Sequence, residues 1–386
     1  MHKIKILELE NFKFFNGKKP IPIECKNVLI YGENGSGKSS IYWSLYTFLQ
    51  SVTKTDDKEI KKYFDPRHDQ CLTNRFMKAD ENSAIRITFE DETKAKTSRE
   101  ISLTTINTSS GTIVKEALQS SDFINYKLLA KVYDASNGEE INIFPFFERH
   151  ILPFVEMKRD YTKPDGSVGS TNAAELWKML KPGLHPRGKM HEPPYQRFQS
   201  AFGIFNQEMD KYIKTILEKA NEYLQQKFNQ PFKIDLTFEN GTYDAFIPWK
   251  PKARDRKTIA PKIILEIEYL HKKIATDKKI IHRPHTFLNE ARLTTVALSI
   301  RLAVLTEKLS VDAPKILVLD DLLLSLDMSN RDIVLDIIFK EFDDFQIIML
   351  THDKFFFEMA KHKSKLISNQ DWQYLEMYAQ EVENEK

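Results

Sequence analysis

Cysteine is scarce in this chain of 386 residues, with only Cys25 and Cys71. Two thiols make neither a disulfide framework nor a cysteine-rich zinc cluster, which suits a reducing compartment. No run approaches the roughly 18–20 uncharged apolar residues that a membrane-spanning helix needs. The opening MHKIKILELENFKFF is charged throughout and holds no signal-peptide core. These absences predict a cytoplasmic protein with no membrane association. Charge of one sign is lacking too: the net is +2, which by itself points to no class of partner. With 41% hydrophobic and 29% charged residues, the composition is that of an ordinary globular chain. The length allows two or three domains, or one domain with a large insertion.

Glycine is also sparse, at 12 residues, and three of them fall in Gly32-Glu33-Asn34-Gly35-Ser36-Gly37-Lys38-Ser39. The stretch fits the G-x-x-x-x-G-K-[ST] phosphate loop. An apolar run, Val28 to Tyr31, precedes it. Ile41, Leu45 and Phe48 recur after it at helical spacing. Strand, loop and helix thus come in the order the motif requires. Glycines let successive N–H groups turn inward on phosphate oxygens, and a helix N-terminus favours anions. Lys38 is placed to reach the β- and γ-phosphates of ATP and Ser39 to ligate Mg²⁺, with Ser40 beside them.

A second element follows far downstream. The apolar run Lys315 to Leu319 stops on Asp320 and Asp321. A strand buried on both faces suits the centre of a parallel sheet. Asp320 at its end is assigned to Mg²⁺, and Asp321 to orienting the attacking water or taking its proton. The alternative is a strand running out into solvent; the independent phosphate loop weighs against it. A further buried-strand pattern, FQIIML, leads to His352, placed to hydrogen-bond a γ-phosphate. Upstream, Asn289 is a natural N-cap for a helix whose apolar stripe is Leu293, Val296, Ala297, Ile300, Ala303 and Val304.

With these pieces in this order, the sequence resembles the ABC-type ATPases of the SMC/RecF branch. Gly32–Ser39 matches Walker A and Leu319-Asp320-Asp321 matches Walker B. Ser325-Leu326-Asp327 is similar to the D-loop, and His352 to the switch histidine. Asn11-Phe12-Lys13 resembles the N-F-[KR] opening, whose basic residue helps to hold the nucleotide phosphates, so the resemblance implies that role for Lys13. Leu288-Asn289-Glu290-Ala291-Arg292 stands where the signature motif L-S-G-G-[QE] is expected. The LNEAR form, together with the paired aspartates, looks like the compact ATPases of bacterial anti-phage and toxin-linked systems.

The resemblance implies an α/β P-loop ATPase head with an antiparallel β-lobe and a short helical insertion. It further implies a head-to-head homodimer or higher homo-oligomer closed by ATP, in which Asn289, Arg292 and Asp327 of one head meet the nucleotide of the other. The expected segments are an N-terminal lobe 1–130, a helical insertion 131–230 and a C-terminal lobe 231–386. The insertion lacks sustained heptads, so no long-armed tether is expected. Two departures stand out. Asp321 replaces the usual glutamate, shortening its reach by roughly 1 Å, a misplacement that can cost about 10²-fold in rate. Glu290 puts a carboxylate at a helix start that should greet an anion, and Arg292 is positioned to offset it by pairing with either group.

Residues 250–285 hold eleven lysines and arginines against four acidic residues, a local net of +7. This stripe from Lys250 to Arg283 reads equally as a track for double-stranded DNA or as a solvated surface. The resulting expectation is a Mg²⁺-dependent ATPase acting as a sensor or clamp in DNA-linked defence or repair, with a separate nuclease or toxin as effector. The alternative is a slowly or non-hydrolysing ATP-gated scaffold that holds such an effector, which Asp321 favours. A transporter motor is disfavoured by the altered signature and the N-F-K opening.

Overall fold

The computed structural model describes the chain except residues 1, 55, 110, 135, 137, 170, 182–190, 244–257, 272, 276–277, 308–312, 323–325 and 379–386. It divides into two compact units. One comprises Met1–Tyr126, Leu309–Leu324 and Met328–Lys386, the other Lys127–Lys308 with Ser325–Asp327.

The first unit is built on a parallel five-stranded sheet. Its strands run in the order Trp372–Met377, Asn27–Gly32, Gln346–Thr351, Ile316–Asp320 and Asp122–Asn125. The three central strands are buried along nearly their whole length, as expected of a parallel sheet covered on both faces. Their registers place Asp320 beside Leu350, and Leu350 beside Ile30. The phosphate-loop strand, the strand ending in Asp320 and the strand leading to His352 therefore finish along one carboxyl edge, where open α/β sheets bind their ligands.

A second, antiparallel sheet in this unit orders Lys18–Pro22, Lys3–Glu10, Ala84–Glu90 and Lys96–Ser102. Residues 83–105 alternate apolar and polar side chains around a charged turn, which predicts a hairpin, and they form the last hairpin of this sheet. The charged turn is closed by Asp91, whose Oδ1 accepts from the N–H groups of Thr93 and Ala95, both at 2.9 Å. Arg86 ties the exposed face by pairing with Glu8 and Glu100 at 2.9 and 2.6 Å.

The second unit contains the 30-residue helix Pro193–Glu222, where the sequence spacing predicts one broad apolar face of Phe198, Phe202, Phe205, Met209, Ile213, Ile216 and Leu217; all of these are buried except Leu217, which is only partly covered. It packs on the helix Glu290–Thr306. There the sequence predicts one apolar stripe, but every residue from Leu293 to Leu305 is buried. The polar members find partners both within the helix and far along the chain. The hydroxyls of Thr295 and Ser299 donate to carbonyls four residues back, and Arg301 donates to the His150 carbonyl at 3.0 Å. Asn240-Gly241 predicts a tight hairpin, yet the strand Phe232–Glu239 pairs instead with Lys262–Tyr269 along eight residues. Gly241 answers a different need. Asn206 brackets its backbone with two hydrogen bonds, and a Cβ would come within 2.9 Å of Pro261. Among the described residues, no helix is long and apolar enough to cross a membrane.

Candidate functional site

The phosphate loop leaves the strand Asn27–Gly32 at Gly32, where a Cβ would lie 2.4 Å from Ser36 Oγ and 2.9 Å from the Met377 carbonyl. Gly35 and Gly37 take left-handed φ angles of 88° and 98°, which side chains resist. The helix Lys38–Gln50 then begins with no side-chain cap and no acidic residue in its first turn. Its N-terminal amides and dipole are left facing outward, an arrangement suited to an anion. Glu33, Asn34 and Ser39 are exposed around this opening, while Ser36 and Ser40 are buried.

Lys38 is 5% exposed. Its ammonium donates to the carbonyl of Gly32 and, at 2.9 Å, to that of Glu33. Burial lowers its pKa, and Asp321 and Asp320 act in the opposite sense through their charge. The loop lysine and the two aspartates, some 280 residues apart in sequence, therefore sit within electrostatic reach of one another.

Asp320 ends its strand and is 9% exposed. Asp321 follows with a left-handed φ of 47°, its N–H held by the Leu350 carbonyl at 3.0 Å. This turn swings its carboxylate onto His352. Oδ1 accepts the His352 backbone N–H at 3.1 Å and lies 2.8 Å from His352 Nδ1. Behind the histidine, Asp353 caps the helix Lys354–Ile367 through the Phe356 N–H and pairs with Arg331 at 2.6 Å. Burial pushes the Asp353 pKa up, but the Phe356 N–H and the Arg331 guanidinium outweigh it and hold the carboxyl below its ordinary range. Sequence reading missed both contacts, since neither pair is local and the Arg331–Asp353 pair has no motif.

The opening turn explains its own residue types. Asn11 and Lys13 both adopt left-handed φ, at 44° and 50°. The Asn11 side chain accepts from Gly17 N and donates to the Asn82 carbonyl, while Phe12 is fully buried. Lys13 is half-buried, and desolvation lowers its pKa. Phe14, also missed, donates its N–H to Ser40 Oγ at 3.3 Å, and its ring occupies the space where a Cβ on Gly37 would fall.

In the second unit, Asn289 caps its helix as expected, Oδ1 accepting the Arg292 N–H at 3.1 Å. The Arg292 guanidinium donates to the Tyr269 hydroxyl at 3.4 Å. Asp327 belongs to the same unit and is exposed. Of the basic stripe, residues 250–257, 272 and 276–277 lie outside the described residues. Lys262 pairs with Glu239 at 3.2 Å, and Lys273, Lys278 and Arg283 are exposed.

Mg²⁺ keeps waters and phosphate oxygens and needs only one or two protein oxygens. The Ser39 hydroxyl and the Asp320 carboxylate are the oxygen donors the sequence offers for it. Among the described residues, no group of three or more histidine, cysteine or acidic side chains could hold a metal by itself.

Residues 3–373 match the family model described as the RecF/RecN/SMC N terminal domain. No curated protein matches the sequence. Solved structures of similar shape include an Smc head domain with an extended coiled coil bound to the C-terminal domain of ScpA, from Pyrococcus furiosus. It is 16% identical at TM-score 0.47, with 93% of this chain and 92% of that one covered. The recombination mediator RecF with bound nucleotide is 14% identical at TM-score 0.47, over 97% and 96%. The SMC head domain from Thermotoga maritima is 14% identical at TM-score 0.37, over 93% and 92%.

Proposed function

Given that the chain belongs to the RecF/RecN/SMC N-terminal-domain family, and so to the ABC-type ATPases of the SMC/RecF branch, we propose that it hydrolyses ATP with Mg²⁺ at the carboxyl edge of its parallel sheet. The observation that carries this reading is the strand register that ends the phosphate-loop strand, the Asp320 strand and the strand leading to His352 along one carboxyl edge, with the Asp321 carboxylate held against His352. Phosphate oxygens would replace the loop carbonyls as partners of the Lys38 ammonium, and the inward amides of the loop would share the charge. Ser39 and Asp320 would hold Mg²⁺, whose contribution is to neutralise phosphate charge. Asp321 spends Oδ1 on His352, and among the described residues Oδ2 makes no hydrogen bond. That oxygen is the one to accept a proton from an attacking water. With Nδ1 turned to the carboxylate, His352 keeps Nε2 to face a γ-phosphate.

In this account ATP closes two heads, with Asn289, Arg292 and Asp327 of one capping the nucleotide of the other. Lys13 contributes to the phosphates. The protein then serves as a sensor or clamp in DNA-linked anti-phage defence or repair, working through a separate nuclease or toxin. The exposed part of the Lys250–Arg283 stripe offers a contact to double-stranded DNA. Phosphate release with and without DNA, beside a Lys38→Ala control, tests the reading; no turnover above that control in any condition sinks hydrolysis.

One observation favours a second reading, an ATP-gated scaffold with little turnover. The short Asp321 carboxylate is already bound twice by His352. ATP-dependent dimerisation without phosphate release would single it out.

A further inference from the structure

Asparagine followed by glycine is a pair prone to spontaneous deamidation, because no side chain hinders the glycine nitrogen from closing on the asparagine carboxamide. The chain has four such pairs: Asn16-Gly17, Asn34-Gly35, Asn137-Gly138 and Asn240-Gly241. Asn137 lies outside the described residues. The other three asparagines are all exposed, so access to water does not separate them. Their glycine nitrogens do. The Gly17 N–H donates to Asn11 Oδ1 at 2.7 Å, and the Gly241 N–H to Asn206 Oδ1 at 3.1 Å. Each of those nitrogens must break a hydrogen bond before it can attack. Among the described residues, the Gly35 N–H makes none.

Asn34 and Gly35 are the central residues of a turn closed by the Ser36 N–H on the Glu33 carbonyl at 3.1 Å. The amide between the two central residues takes no part in such a closure. Gly35 is exposed, and nothing lies within 4 Å of the place a Cβ would take. The Asn34 carboxamide makes no hydrogen bond among the described residues either, so nothing ties it away from the Gly35 nitrogen.

We propose that Asn34 is a site of spontaneous deamidation, faster than Asn16 and Asn240, that ages the phosphate loop when no nucleotide is bound. The Gly35 nitrogen bonds to Asn34 Cγ, the Cγ–Nδ2 bond breaks, and the Gly35 amide proton departs with that nitrogen as ammonia. Water then opens the succinimide at either carbonyl, leaving aspartate or isoaspartate at position 34. The net exchange replaces NH₂ by OH and needs no oxidant or cofactor. Either product puts a carboxylate into a loop whose amides suit phosphate, and isoaspartate also lengthens the main chain by one carbon. A phosphate held in the loop engages those amides, so bound nucleotide slows the reaction. The effect on ATP rests on the phosphate-loop reading; the chemistry at Asn34 does not.

The test incubates the full chain without nucleotide at mildly alkaline pH and digests it at acidic pH. Chromatography with mass spectrometry then resolves the asparagine, aspartate and isoaspartate forms of the three peptides in one sample. Asn34 should convert about three- to tenfold faster than Asn16 and Asn240, the factor expected when one hydrogen bond must open first. Adding Mg²⁺ and a non-hydrolysable ATP analogue should slow Asn34 alone, and Lys38→Ala should lose that protection. During incubation the parent's ATP affinity should fall in step with conversion at Asn34. In Asn34→Gln, whose longer side chain cannot close the five-membered ring, affinity should stay at that variant's own starting value. Asn34→Asp should bind ATP on the order of ten- to a hundredfold more weakly than the parent, as one added charge beside a phosphate implies. The proposal is overturned if Asn34 converts no faster than Asn16 and Asn240, or if the analogue binds without slowing it. Fast conversion of Asn34 in a chain that binds no ATP would uphold the modification and refute the nucleotide reading instead.

Discussion

Asp321 Oδ1 receives both the backbone N–H of His352, at 3.1 Å, and lies 2.8 Å from its Nδ1. The residue assigned to water and the residue assigned to the γ-phosphate are therefore one hydrogen-bonded unit. Either can respond to nucleotide only by moving or retaining the other. In Asp321→Asn the amide oxygen can keep accepting from His352, but basicity is lost. Turnover should fall by about 10²–10⁴-fold, with ATP binding kept and a closed dimer accumulating. Light scattering with ATP should show a doubled mass. A monomer with ATP bound would count against the head-to-head arrangement.

Gly37→Ala meets two obstacles at once. The backbone is left-handed at 98°, and the new Cβ falls 2.5 Å from the Phe14 ring. The same change at Gly35 meets only the φ of 88°, with open space around it. ATP affinity measured by calorimetry should drop further for Gly37→Ala than for Gly35→Ala. Removing the ring in Phe14→Ala should recover part of the Gly37→Ala loss. No recovery would mean that backbone strain alone sets the effect.

The Arg331–Asp353 pair, with side chains 13% and 29% exposed, is half-shielded from solvent. Arg331→Met leaves Asp353 without its cation and should cost about 1–3 kcal/mol by denaturant unfolding. The pH dependence follows from the depressed Asp353 pKa. A carboxyl whose folded pKa is lowered stabilises the protein above its unfolded pKa, roughly 3.9. That stability disappears as pH falls through the folded value. Between pH 5 and 3, Asp353→Asn should therefore lose less stability than the parent. An equal loss would show that the pair is not coupled to folding.

Asn289→Ala removes the cap that accepts the Arg292 N–H, at a cost of about 1 kcal/mol. If Asn289 also meets the nucleotide of a second head, ATP-dependent dimerisation should weaken beyond that amount while monomer ATP affinity stays the same. Sedimentation at several concentrations, with and without ATP, separates the two effects. Dimerisation unchanged would leave Asn289 as a helix cap alone.

What the sequence made legible was local. The phosphate loop, its strand and helix, the Asn289 cap and the face of the long helix Pro193–Glu222 each follow from residues a few positions apart. What it hid depends on distant partners. Asp321 reads as a free carboxylate until the left-handed turn brings it to a residue 31 positions away. The burial of the helix Glu290–Thr306 on all sides is invisible in a stripe, because Thr294, Thr295, Ser299 and Arg301 look solvent-facing until their partners are seen. Asn240-Gly241 carries a strong turn signal, yet close packing by Phe202 and Pro261 accounts for the glycine.

The account turns on one shared grip: loop lysine and strand-end aspartate acting on a single nucleotide. ATP affinity by calorimetry, with Mg²⁺ and with EDTA, in the parent, Lys38→Ala and Asp320→Asn, tests it most directly. Lys38→Ala should bind in neither condition. Asp320→Asn should match the parent in EDTA and gain nothing from Mg²⁺. Asp320→Asn retaining the full Mg²⁺ enhancement, or Lys38→Ala binding as the parent does, would contradict the claim.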